Sequence, residues 1–295
     1  MNAMEQRSGD GWTAINGDCI EAIAGLPGSS VDYSIFSPPF ASLYTYSNSP
    51  RDLGNCRDDE EFFAHMRFLI DELRRVMRPG RNVSFHCMLM PTSKERDGYI
   101  GLKDFRGDLI RAFQSAGFVY ASEVCIWKDP VTSMQRTKAL GLLHKTVRTN
   151  ASMSRQGIPD YLVTMRAPGD AEHRVTHDSA QYPVSKWQQV ASPVWMDIDP
   201  NDTLQYRSAR EHDDERHICP LQLEVIRRGI DLWTNPGDVV LSPFMGIGSE
   251  GVVSIEMQRK FVGVELKRSY YEQATRNLET AGRQTSIFDF STVAA

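Results

Sequence analysis

Ser37-Pro38-Pro39-Phe40 is the stretch of this chain best suited to chemistry. It follows Val31-Asp32-Tyr33-Ser34-Ile35-Phe36, a β-rich apolar run that reads as a buried strand. Neither proline has an N–H and each fixes φ near about −65°, so two in succession stop the strand ladder. Their carbonyls remain as acceptors with no donors beside them, flanked by the Ser37 hydroxyl and the Phe40 ring. Such a cluster suits a planar group with an exocyclic NH2, of which a nucleobase is the obvious example. Read alone, the tetrapeptide also fits a proline-terminated strand with Phe40 in the core.

A second constellation lies near the other end. Val239-Val240-Leu241 runs into Ser242-Pro243-Phe244-Met245-Gly246-Ile247-Gly248-Ser249-Glu250-Gly251, an apolar strand, a glycine-rich turn and a helix start. The glycines follow G-x-G-x-x-G, and Glu265 ends the next strand 19 residues after Gly246. Glycines let backbone approach a ligand, and a carboxylate at a strand end can accept from both ribose hydroxyls. This fits a nicotinamide dinucleotide enzyme as well as any other nucleoside binder. Only 44 residues follow Gly251, however, so the rest of the sheet must come from residues before Ser242.

The elements that position these motifs alternate. Strands are predicted at 12–15, 31–36, 83–87, 118–127, 160–165, 238–241 and 261–265. Helices are predicted at 20–26, 59–77 (terminated by Pro79-Gly80), 104–116, 220–233, 250–257 and 269–280. Alternation of this kind predicts an α/β fold, a mostly parallel sheet with helices on both faces. Residues 167–216 break the rhythm and form an irregular region, and 283–295 read as a tail. The domain reading is 1–166 carrying the Ser37 motif, 167–216 as a specificity loop or small irregular subdomain, and 217–282 carrying the glycine turn.

The five scattered cysteines have no C-x-x-C spacing, which argues against a disulfide framework and a zinc site. With no apolar run of membrane-spanning length and no signal-peptide core at the start, the chain reads as cytoplasmic. The net charge of −5 hides an asymmetry: between Lys128 and Arg166 seven bases face two acids. Lys128, Arg136, Lys138, Lys145, Arg148 and Arg155 could track phosphates, although a solvated basic loop explains them too.

Together these motifs resemble the S-adenosylmethionine-dependent DNA amino-methyltransferases, in the class whose catalytic motif precedes the cofactor motif. The resemblance runs from Gly17-Asp18 to about Leu278 and implies a permuted Rossmann-like fold. It makes Ser37, Pro38, Pro39 and Phe40 the amino-group clamp, and Phe244, Gly246 and Gly248 the cofactor turn. Glu265 would then take the ribose, Asp18 would lie beside the cofactor adenine, and His217, Cys219 and Pro220 would hold the methionine moiety. Ser242 stands where relatives usually carry Asp, which suggests weaker cofactor affinity, compensation by Asp18 or Glu250, or a catalytically weak DNA-binding relative. The resemblance implies S-adenosylmethionine as cofactor and double-stranded DNA as partner, with no metal and no membrane. A homodimer and a cognate restriction endonuclease are compatible with it.

In that reading Ser37 Oγ and the Pro38 carbonyl accept the two amino N–H bonds, which draws the nitrogen toward sp3 and aims its lone pair at the methyl. Phe40 stacks on the flipped base, with Tyr44 and Tyr46 in the loop beyond. Ring-carbon methylation is disfavoured, because Cys219-Pro220 lies on the cofactor side and reverses the order such a nucleophile needs. His86 and His144 are possible bases, though an isolated His more often has a structural role. The resemblance associates Ser rather than Asp at position 37 with N(4) of cytosine more often than with N(6) of adenine, and both amino groups present the same two donors. A nicotinamide oxidoreductase built on the glycine turn is the alternative from another class.

Overall fold

The computed structural model describes residues 4–39, 56, 58–131, 133, 143–205 and 220–293, with side chains as far as 284. Among the described residues there are eleven strands. β1 (Glu5–Gly9), β2 (Trp12–Asn16), β3 (Val31–Phe36) and β4 (Met77–Met88) come first, then β5 (Met90–Pro91) and β6 (Leu102–Lys103). They are followed by β7 (Val119–Ile126), β8 (Asp160–Arg166), β9 (Val194–Trp195), β10 (Val239–Ser242) and β11 (Lys260–Glu265). β5 and β6 pair only with each other, and the rest form one sheet in the order β1-β2-β11-β10-β3-β4-β8-β7-β9. The five central strands are parallel, β1 and β8 run against their neighbours, and β9 adds a short parallel edge to β7.

Three principal helices cover each face. α1 (Cys19–Ala24), α2 (Asp59–Val76) and α4 (Phe105–Ser115) pack on one side, with a four-residue α3 (Lys94–Asp97) between them in sequence. Ile23, Phe62, Met66, Leu69, Leu73, Leu109 and Phe113 form that layer's core with Phe36 and Phe85 of the sheet. After the short α5 (His144–Thr149) and α6 (Val184–Val190), the other face is built by α7 (Leu223–Trp233), α8 (Ser249–Glu256) and α9 (Arg268–Val293). There Ile226, Ile230, Val253, Tyr271 and Leu278 meet Tyr33, Ile35, Val240 and Phe261. Tyr33 and Ile35 therefore face one layer and Phe36 the other, the alternation a two-faced strand requires.

Two boundaries differ from the sequence expectation. Helix α2 gives way at Met77, whose backbone is already extended, and Pro79-Gly80 fall inside β4 instead of ending the helix. The β3–β4 register slips there, between Val31↔Met77 and Tyr33↔Asn82, so residues 78–81 bulge out of the ladder. Gly80 has φ 72°, and a Cβ on it would stand 2.5 Å from the Ala171 nitrogen, so this bulge requires glycine. The last helix, expected over 269–280, continues to Val293 through the stretch expected as a tail.

The region expected to be irregular is tied to the body of the protein. Trp195 of β9 is buried, and the Arg228 guanidinium of α7 lies 4.9 Å from its ring centroid. Arg228 also donates to both carboxylate oxygens of Asp197, at 3.0 and 2.7 Å, and to Glu224 at 2.9 Å. A bidentate pair of this kind fixes orientation as well as charge. Among the described residues no helix is long and apolar enough to cross a membrane.

Candidate active site

Strand order reverses between β10 and β3. From β10 the chain moves through α8 to β11 on one side, and from β3 it moves through α2 to β4 on the other. Crevices at such reversals lie outside the carboxyl ends of the strands and are where open α/β sheets bind ligands. The Ser37 and Ser242 motifs stand at that edge on directly paired strands, since Tyr33 and Ser34 lie opposite Val240 and Leu241. Gly17-Asp18 follows β2 and Glu265 ends β11, again side by side, with Asn16 opposite Glu265.

The glycine turn is shaped by its own hydrogen bonds. Gly246 (φ 53°) and Gly248 (φ 89°) adopt left-handed backbone. A Cβ on Gly246 would meet none of the described residues within 4 Å, so they leave space above the turn. A Cβ on Gly251 would meet Leu278 at 2.4 Å and Phe261 at 2.6 Å; its absence lets α8 sit close to β11 and α9. Glu265 Oε2 accepts from Gly246 N–H at 3.0 Å and Oε1 accepts from Lys267 N–H at 2.8 Å. A carboxylate at a strand end has the chemistry to accept from ribose hydroxyls. Asp18 caps α1, its Oδ1 accepting from Ile20 N–H at 2.9 Å and Glu21 N–H at 3.2 Å. Phe244 packs against Phe36, with ring centroids 5.8 Å apart, which links the two motifs physically.

Ser242 is fully buried, and its hydroxyl has no hydrogen-bond partner among the described residues. Glu250, in the first turn of α8, is also buried, and its pKa is pushed up to about 8 by burial and by the nearby charge of Glu265. At neutral pH it is largely uncharged until a cation arrives. These two residues flank the glycine turn, Ser242 before it and Glu250 after it.

On the β3 side the fold assembles a group that the sequence does not announce. Ser37 Oγ lies 3.1 Å from His86 Nδ1, and His86 Nε2 lies 2.9 Å from Asp160 Oδ2. Lys128 Nζ stands 2.5 Å from the same Asp160 oxygen. The four residues come from the end of β3, the end of β4, the start of β8 and the segment after β7. They meet because antiparallel β8 begins where β4 and β7 end, with Asp160 opposite both Met88 and Ile126. Burial alone would raise Asp160, but His86 and Lys128 beside it hold its carboxyl below the usual range. Beside an ionised Asp160, Nε2 of His86 carries a proton, and in the neutral imidazole this leaves Nδ1 as an acceptor. Nδ1 then receives the Ser37 O–H, and the Ser37 oxygen presents its lone pairs to whatever stands before it. The sequence marks His86 as a possible base or structural residue. It does not mark Asp160, because an Asp at a strand start looks like a solvated turn residue and only the fold brings positions 74 apart together.

Of the other expected site residues, Pro38 is buried and Pro39 half-buried beside Ser37, and Pro220 is half-buried. Phe40, Tyr44, Tyr46, Arg136, Lys138, His217 and Cys219 lie outside the described residues. Lys145 and Arg148 are exposed on α5. That helix belongs to the connection between Ile126 and Asp160, both at the site's edge. Arg155, in the same connection, is half-buried, and burial lowers its pKa. Its Nε and one terminal nitrogen have no partner among the described residues. His144 begins α5 and is exposed, away from the Ser37 cluster in sequence and pairing.

Comparison with known proteins decides the class of this site. Residues 31–276 match the sequence profile of the DNA methylase family that comprises N6 and N4 methyltransferases. The chain belongs to this family. That membership removes the nicotinamide oxidoreductase as an alternative. The chain is similar to the Type II methyltransferase M.BglII of Bacillus subtilis, 24% identical over 264 residues that make up 88% of this chain and 66% of the relative. It is also similar to the DNA adenine methyltransferase YhdJ of Escherichia coli strain K12, 23% identical over 93% of this chain and 85% of the relative. Among solved structures, a Thermus thermophilus protein described as a DNA modification methylase and complexed with S-adenosyl-L-methionine superimposes with a TM-score of 0.66. The two are 21% identical, and the match covers 90% of this chain and 94% of that one, so they share a fold.

Proposed function

We propose that this enzyme transfers the methyl group of S-adenosylmethionine to the exocyclic amino nitrogen of a base swung out of duplex DNA, with N(4) of cytosine as the target. The observation that carries the reading is the adjacency of the Ser37-Pro38-Pro39 acceptors to the Gly246–Gly248 turn across one strand pair. One side suits an amino group and the other a nucleoside.

S-adenosylmethionine supplies an activated sulfonium methyl when bound. Glu265 takes the ribose hydroxyls while continuing to brace Gly246, and Asp18 lies on the neighbouring turn for the adenine. Glu250 ionises against the cofactor's positive charge and stands in for the Asp that Ser242 replaces. On the base side, Ser37 Oγ and the Pro38 carbonyl accept the two amino N–H bonds. The lone pair of an amino nitrogen is delocalised into the ring, and acceptors set in tetrahedral directions draw it out. Lys145, Arg148 and Arg155, together with Arg136 and Lys138, track phosphates beside the flipped nucleotide.

The Ser37–His86–Asp160 line also has the composition of a hydrolytic triad, and the prolines argue against that chemistry. Such an enzyme commonly stabilises its oxyanion with the backbone N–H of the residue after the nucleophile. Here that residue is Pro38, which has no N–H, and Pro39 has none either. The site is rich in acceptors where a hydrolase needs donors.

The preference for cytosine rests on Ser37, because the resemblance associates Ser-Pro-Pro with that base. The likeness to a DNA adenine methyltransferase favours N(6) of adenine as the second reading. The Type II designation of M.BglII supports a restriction endonuclease as functional partner. Incubation of the protein with radiolabelled S-adenosylmethionine and duplex DNA tests the reading. Label should pass to DNA, and its failure to do so with genomic DNA of varied composition would overturn it.

A further inference from the structure

The amino nitrogen that accepts a methyl must also lose a proton, and acceptor carbonyls cannot take one. Resting on the amino-methyltransferase reading, we propose that His86 is the proton acceptor of the reaction, working through Ser37 as a positioning residue held by Asp160 and Lys128.

The geometry supplies a continuous route. Ser37 Oγ is 3.1 Å from His86 Nδ1, within reach of a hydrogen bond, and His86 is itself only 9% exposed. Asp160 is 2% exposed and would be a costly buried charge if it served packing alone. Its Oδ2 is shared between His86 and Lys128, and its Oδ1 has no partner among the described residues. An apolar pair would fill this volume without that cost, so the arrangement points to use of the charge. Among the described residues the charged and titratable groups around His86 are Asp160 from β8 and Lys128 from the segment after β7. The neighbouring Cys87 points to the opposite face of β4, where Arg106 lies over the Tyr161 ring and pairs with Glu123.

The nitrogen lone pair forms the N–CH3 bond as the S–CH3 bond breaks, and its electron pair stays on sulfur to give a neutral thioether. The nitrogen, now carrying positive charge, passes one proton to Ser37 Oγ while the Ser37 proton moves to His86 Nδ1. The imidazolium so formed is balanced by the Asp160 carboxylate. It returns its proton to solvent after the product leaves. Lys128 keeps Asp160 ionised, which fixes the His86 tautomer and maintains Nδ1 as the acceptor.

The test compares single-turnover methyl transfer to duplex DNA, at saturating S-adenosylmethionine, for the unchanged protein, His86→Asn and His86→Ala across a pH range from about 5.5 to about 9. Asn can accept the Ser37 O–H from the Nδ1 position but cannot take a proton. A positioned proton acceptor contributes about 100-fold or more. We expect His86→Asn to lose about that factor, with DNA and cofactor Kd within about two-fold. We also expect the pH dependence of the unchanged protein's rate to flatten in the variant. If His86→Asn keeps the full rate while His86→Ala loses it, His86 only orients Ser37 and the proposal falls. If the unchanged protein transfers no methyl, the amino-methyltransferase reading falls and takes this proposal with it.

Discussion

Glu265 braces Gly246: one carboxylate oxygen accepts the Gly246 N–H at 3.0 Å across the strand pair that ends in the cofactor turn. The residue expected to hold the ribose therefore also fixes the backbone that must approach it. Hydrogen bonds to charged groups are worth about 1.5–3 kcal/mol each. Glu265→Ala should weaken S-adenosylmethionine binding by at least about 10-fold, measured by calorimetric titration. Glu265→Gln, which retains one acceptor oxygen, should lose less. Equal affinity in all three proteins would remove Glu265 from the site.

Ser37→Ala deletes the proposed acceptor of the amino group and leaves the glycine turn untouched. Turnover should fall by about 100-fold, the scale for removing one preorganised polar group, while the cofactor Kd stays within about two-fold. A contact that strengthens only as the nitrogen pyramidalises lowers kcat more than binding. An unchanged kcat would show that Ser37 holds no amino group.

Lys128 and Arg148 should separate in a salt titration. Arg148 is exposed on the connection between Ile126 and Asp160, and its removal should reduce the salt slope of DNA binding by about one. Lys128 is engaged by Asp160, so Lys128→Ala should lower turnover and leave the slope nearly unchanged. Slopes altered equally would make Lys128 a phosphate contact like its neighbours.

Glu250 gives the apoprotein a pH signature. Its pKa rises from an ordinary 4.5 to about 8 in the folded state, chiefly through burial. Between those values the unfolded chain is ionised there and the folded chain keeps the proton. The folded state therefore binds more protons, and stability falls as pH rises through this window, by about 1.4 kcal/mol per unit at most. Urea unfolding of apoprotein between about pH 5 and about pH 8 should show this loss. Glu250→Gln should flatten it, and a slope unaffected by the substitution would assign the effect elsewhere. Cofactor binding near neutral pH should also release a proton from Glu250, visible as a buffer-dependent binding enthalpy absent in the variant.

Much of this fold is legible in the sequence, because each buried strand is a short apolar run between glycine, proline or polar breaks. Strand 31–36 coincides with β3, and the G-x-G-x-x-G turn sits where the strand-turn-helix pattern puts it. Asp10-Gly11 joins Gly9 to Trp12 with Gly11 at φ 73°, a hairpin signal masked by the polarity of its first strand, Glu5–Gly9. Pro79-Gly80 looks like a helix stop and forms a bulge, because the same residues serve both purposes. The two nucleoside-side motifs are local and can be read directly. The Ser37–His86–Asp160–Lys128 line is made by strand order, and no spacing in the sequence signals it.

The central claim concerns which atom receives the methyl group. Duplex DNA incubated with the protein and S-adenosylmethionine, digested to nucleosides and analysed by mass spectrometry, answers it. N(4)-methylcytosine is the expected product, and it should be lost in Ser37→Ala. N(6)-methyladenine would move the target to the other amino base and leave the clamp intact. 5-Methylcytosine, or no methylated base at all, would contradict it.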